Sequence, residues 1–162
     1  MLRPAVSTTI CFEDEGAALG VHGPLVIAVI SGRHPFSAHA ARRAVDEVSR
    51  LRKTTHRGAL LYAYVMGELA EVPGAEARNI LAELPNHMDA SVGVHEGSGF
   101  RASMIRAVVT GIAMASRARI HPDIVATVPV AAARICARYP TLDEKSVVAA
   151  FERVRTAALE GA

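Results

Sequence analysis

Seven consecutive residues, Pro24-Leu25-Val26-Ile27-Ala28-Val29-Ile30, carry no polar side chain. Successive side chains of a strand point to opposite faces, so a run this uniform needs apolar cover on both sides. A sheet sandwiched between other layers provides that cover, and the rest of the chain must supply the layers. Residues 59–66 (ALLYAYVM), 90–94 (ASVGV) and 123–127 (DIVAT) are three further strand candidates. An earlier strand, Thr8-Thr9-Ile10-Cys11-Phe12, is rich in β-formers and is followed by a turn at Glu13-Asp14-Glu15-Gly16. It is expected to pair with residues 24–30 as an antiparallel hairpin.

Helical patterns separate the strands. After the break at Ser31-Gly32-Arg33-His34-Pro35 a helix runs to about residue 54, with Ala41, Ala44, Val45, Val48 and Leu51 at the spacing of one face. Arg42, Arg43, Asp46, Glu47 and Arg50 are expected to form its solvated face, with Arg43–Glu47 and Asp46–Arg50 as i,i+4 pairs. A second helix spans about 74–84 with Ala77, Ile80, Leu81 and Leu84 inward, and Pro85 ends or kinks it. A third opens at Gly97-Ser98-Gly99 and runs to about 117. A short helix begins near Pro129, and a last one carries Val147, Val148, Phe151 and Val154 on one stripe. Its expected start is a capping box at Thr141-Leu142-Asp143-Glu144.

Strands that alternate with helices imply right-handed parallel crossovers. The expected fold class is therefore α/β: a single mixed, mostly parallel sheet with an N-terminal β-hairpin and an extra C-terminal helix. Residues 1–140 would form the domain, and 141–162 a helix packed on it. The 162 residues suit one domain, and a 51% hydrophobic share is enough for a real core.

Composition also narrows function. Aromatic residues are 4% of the chain and Trp is absent, so stacking platforms for single-stranded nucleic acid are scarce. The net charge of +2 is spread without a block of like charges, and no nucleic-acid footprint results. Cys11 and Cys136 make neither a disulfide framework nor a CxxC motif. No signal-peptide h-region or membrane span is read, so a cytoplasmic location is expected.

The order of elements, and the segment Asp123-Ile124-Val125-Ala126-Thr127-Val128-Pro129-Val130-Ala131-Ala132-Ala133 in which a strand meets an Ala-rich helix, resemble the STAS fold. Within it, the likeness is to the STAS/SEC14-like bacterial proteins related to anti-anti-sigma factors, over about residues 8–138. The resemblance implies a non-enzymatic regulatory or scaffolding module without a cofactor, binding another protein or itself. In that family a Ser or Thr after the third strand is phosphorylated. The corresponding stretch here, residues 67–76 (GELAEVPGAE), has no hydroxyl, which sets such a switch aside. Glu68, Glu71 or Glu76 could supply fixed negative charge at that helix end.

One loop reads as a candidate ligand or partner site: His95-Glu96-Gly97-Ser98-Gly99-Phe100-Arg101, at a strand end and a helix start. Glu96, Ser98, Gly99 and Arg101 are its candidate residues, through free amides and a guanidinium that would suit an anion. It lacks a P-loop ending and a nucleophile-elbow pattern, and a plain turn capped by Ser98 or Gly99 is the structural alternative. A small-molecule, phosphate or lipid site there is the alternative function. As neighbours on a strand, His95 and Glu96 should face opposite ways, which counts against an enzyme built on both. His34 with His39, and His121 with Asp123, lack a convincing metal spacing, so no metal is expected. The remaining histidines read as surface or loop residues. Both cysteines read as small core residues.

Overall fold

The computed structural model describes residues 6–32, 34–56, 59–64, 73–96, 99, 103–104, 107, 111, 114 and 123–161. Six strands, β1 (Thr8–Glu13), β2 (Ala17–His22), β3 (Leu25–Ile30), β4 (Ala59–Tyr64), β5 (Ala90–Val94) and β6 (Asp123–Val125), form one sheet in chain order. The first three make an antiparallel meander, whereas β3–β4, β4–β5 and β5–β6 pair in parallel.

The N-terminal part corrects the expected hairpin. β1 and β3 do not pair with each other; β2 lies between them and pairs with both. Its sequence, AALGVH, has two alanines and a glycine and is buried along almost its whole length, so neither β-propensity nor alternation marks it. Gly23, at φ +58°, makes the tight turn into β3, a backbone region that suits glycine.

Helix α1 (Ala38–Thr55) starts at Ser37, whose hydroxyl accepts from the Ala40 amide at 3.0 Å and donates to Asp14 Oδ2 at 3.0 Å. Asp14 Oδ1 accepts from the Gly16 and Ala17 amides, so one carboxylate joins the β1–β2 turn to the helix start. Arg52 and Lys53 in the last turn complement the helix dipole, and His56 ends the helix in a left-handed conformation. The expected inward face is buried, but Glu47 is a correction: it is buried too, held by Arg43 at 3.3 Å and by Arg50 at 2.9 Å. A carboxylate can sit there because two guanidiniums pair with it. Arg50 therefore bonds Glu47 at i,i+3, whereas the sequence pairs it with Asp46.

Helix α2 (Ala75–Leu81) is shorter than expected, and a 3₁₀ turn at Leu84–Asn86 accommodates Pro85. A bidentate pair, Arg42 with Glu83, ties α1 to this region, and Arg52 pairs with Asp89. Among the described residues of the following segment, Ser103, Met104, Ala107, Gly111 and Met114 are helical. Helices α3 (Val128–Arg138) and α4 (Glu144–Glu160) follow β6.

The two faces of the sheet have different roofs. Val26 and Ala28 of β3 pack with Leu19, Ala44, Val45, Val48 and Leu51, under α1. Leu25, Ile27 and Val29 join Ala18 and the apolar faces of α3 and α4 on the opposite side. This is the double cover that the apolar run of β3 requires. Val147, Phe151 and Val154 of α4 are fully buried, and burying each such side chain contributes about 1.5–3 kcal/mol. Helix α4 lies so close to β2 that a Cβ on Gly20 would stand 2.5 Å from Val154 Cγ2. Its N-cap is Asp143, accepting from the Ser146 amide at 2.9 Å, rather than Thr141. Helix α4 begins one residue after Asp143, so Thr141 lies ahead of the capping position.

Candidate functional site

Two places gather polar chemistry. The first is the loop after β5. The backbone runs straight out of the parallel part of the sheet, where His95 N donates to Val125 O at 2.9 Å. His95 is buried and Glu96 exposed, and both lie just past the end of β5 at Val94 rather than on the strand as expected. The Glu96 carboxylate accepts from Arg155 of α4 at 2.8 Å. Arg155 also lies 4.9 Å above the Phe151 ring and 3.5 Å from Glu152. Glu96 is thus engaged with the C-terminal helix, 59 residues away in sequence.

Gly99 is exposed, at φ +91°, and its carbonyl accepts from the Ser103 amide at 3.3 Å, the first bond of a helical turn. A Cβ there would meet open space, so the backbone angle, not crowding, calls for glycine. Ser98 and Arg101 lie outside the described residues. Of the four candidate residues, the described two are therefore an ion-paired carboxylate and a turn glycine.

The second place is a cleft of about 450 Å³ between the sheet's first strand and the last helix. Ile10 and Glu13 form one wall, and Arg153, Thr156, Ala157 and Glu160 the other. Its volume falls within the usual range of small-ligand pockets, about 300–1,000 Å³, but such pockets enclose their ligand in mostly apolar walls. Here the cleft opens to solvent, and its lining mixes apolar Ile10 and Ala157 with charged side chains of both signs. The Thr156 hydroxyl donates to Glu152 O at 3.0 Å, as in a helix interior.

Strand β1 is the edge of the sheet, and its ladder is interrupted by a bulge at Cys11, where the register shifts between Ile10 and Phe12. Arg43 donates to the Cys11 carbonyl at 3.0 Å. Burial, followed by nearby Glu47, pushes the Cys11 thiol above its ordinary pKa, so it stays protonated at neutral pH. Cys136 shifts the same way, burial again first. Both are half-buried at the margin of the core.

The other marked residues fall apart in space or into ordinary roles. His34 lies 3.9 Å from Glu15, and His39 packs edge-on against Phe12. Asp123 pairs with Arg134 at 3.7 Å, and His121 lies outside the described residues, as do Glu68 and Glu71. Glu76 is exposed in the first turn of α2. Among the described residues no group of three or more His, Cys, Asp or Glu could hold a metal, and no helix is long and apolar enough to cross a membrane.

Two residues that sequence reading passed over carry more of the polar structure than those it chose. Arg155 is one. The other is His22, expected at the surface or in a loop but lying at the end of β2 and 1% exposed, as His95 is also buried. The only signal in the sequence for His22 is its place beside the Gly23-Pro24 turn, which does not distinguish a buried ring from a loop. Compared with protein-family models, curated proteins and solved structures, the chain matches none.

Proposed function

We propose that this protein is a non-enzymatic regulatory or scaffolding module that binds another protein or a second copy of itself, and that the cleft between β1 and α4 is its contact surface. The observation that carries the reading is the cleft, whose lining combines apolar Ile10 and Ala157 with charged Glu13, Arg153 and Glu160. Apolar centres with charged rims are how protein contacts combine affinity with register. Pairing of another strand onto β1 is disfavoured, because the Cys11 bulge and the Arg43 guanidinium occupy that edge. A partner therefore docks side chains into the cleft. The same reading takes the element order as STAS-like, the chain as a bacterial cytoplasmic protein, and residues 1–140 with the added C-terminal helix as one mostly parallel α/β domain.

Ala157→Arg tests the proposal, since it fills the cleft from a half-buried position near the helix end. Light scattering and affinity capture are run on wild type and variant. The expected result is loss of self-association or of a captured partner at unchanged thermal stability. Identical association by both proteins, or a wild type that stays monomeric and captures nothing, overturns it.

A ligand at the Glu96–Arg101 loop is the second reading, favoured by the left-handed Gly99 at the start of a helical turn. Thermal shift with inorganic phosphate decides it, and an unchanged melting temperature rejects it.

A further inference from the structure

His22 ends β2, and its ring lies between two hydroxyls from other elements. Nδ1 is 3.1 Å from Thr8 Oγ1 on β1, and Nε2 is 3.2 Å from Ser146 Oγ in the first turn of α4. Ser146 places its one hydroxyl proton on the Asp143 carbonyl, 2.7 Å away. Its oxygen is then an acceptor toward the ring, which fixes Nε2 as a donor and leaves Nδ1 to accept from Thr8. Thr8, His22, Ser146 and Asp143 thus form a directed chain that a neutral imidazole completes. It joins the edge strand, the second strand and the N-terminus of the helix that roofs them.

We propose that His22 is an acid-operated latch on α4: proton uptake at the buried ring releases the first turn of that helix from the sheet. A protonated ring donates from both nitrogens, so Thr8 must turn from donor to acceptor. The imidazolium would also stand at the positive end of the α4 dipole, where a cation is disfavoured. Among the described residues the ring's hydrogen-bond partners are the two hydroxyls, and neither is a carboxylate. On β1, Thr8 is the contact and Glu13 lies at the opposite end of the strand; on β3, apolar Leu25 is the residue paired with His22. On α4, the Asp143 carboxylate is engaged by the Ser146 amide at 2.9 Å, and Glu144 and Lys145 are exposed.

Burial holds the ring below its ordinary value of 6.5. The sign follows. Above that value the ring is neutral in both folded and unfolded chains and costs nothing. As pH falls below it, the unfolded chain binds the proton first, and folding weakens by at most about tenfold per pH unit until the folded ring is itself protonated. The latch holds whether or not the cleft has an occupant.

Two measurements on the full chain test it: long-range ¹H–¹⁵N spectra of the histidine rings, and hydrogen exchange of the α4 amides against those of α1. At pH 7.5 His22 is expected as the neutral Nε2–H tautomer, and it stays neutral to below its ordinary value of 6.5. When it does protonate, the first turns of α4 lose protection about tenfold more than α1. In Ser146→Ala, α4 is already loosened at pH 7.5 and the acid step is smaller; in His22→Gln the acid step is absent. The proposal is overturned if either variant keeps the full acid step, if α1 loosens equally with α4, or if His22 titrates at its ordinary value with α4 unmoved.

Discussion

Replacing Gly20 by alanine sets two opposed effects against each other. In a strand, alanine has fewer unfolded conformations than glycine, which by itself stabilises by about 0.4–1 kcal/mol. In this sheet the new Cβ would stand 2.5 Å from Val154 Cγ2, well inside contact distance. Val154 cannot swing away: it is β-branched, restricted about χ1 and fully buried. The helix must lift or the strand bend, and overpacking of this kind costs about 1–3 kcal/mol. The clash wins, and a net loss of about 1–2 kcal/mol is expected, or a fall in Tm of roughly 2–8 °C. Urea unfolding followed by far-UV circular dichroism measures it. The decisive comparison is the pair of Gly20→Ala with Val154→Ala, because removing the valine methyls makes room for the added one. The double variant should be more stable than the sum of the single losses by about 0.5–3 kcal/mol. Additive losses, or a Gly20→Ala protein as stable as wild type, would refute the close packing of α4 on β2.

Two further outcomes follow from the same helix. Phe151→Ala empties a fully buried site at the centre of the α4 face and should cost about 3–5 kcal/mol, read from the urea midpoint. Asp143→Ala removes the N-cap and should cost about 1 kcal/mol, whereas Thr141→Ala should leave the midpoint unchanged.

Much of the fold is legible in the sequence where periodicity is strong. The 3.6-residue spacing of Ala41, Ala44, Val45, Val48 and Leu51 marks the buried face of α1, and Val147, Phe151 and Val154 mark that of α4. The apolar run of β3 announces a strand covered on both faces. Strand β2 is not legible, for a reason visible in its packing. It lies beneath α4 with room at residue 20 only for glycine, so its composition answers to the helix above it and not to strand propensity. The burial of Glu47 is not legible, because helical spacing puts it on the polar side and only the folded chain shows two arginines closing over it. The candidate site was less legible still. Glu96 meets Arg155, and His22 meets Ser146, across sequence separations that no local pattern spans. The cleft, too, is made by two segments from opposite ends of the described chain.

The order in which the layers form has a consequence for synthesis. The meander is complete at Ile30, but the helix that covers its second face begins at Glu144. On a ribosome adding about 5–20 residues per second, Leu25, Ile27 and Val29 wait on the order of ten seconds for their roof. Throughout that interval the nascent chain shows a greasy plane to its surroundings, a natural target for a holding chaperone. Truncation before Glu144 should make the exposure permanent and send the product to aggregation or proteolysis.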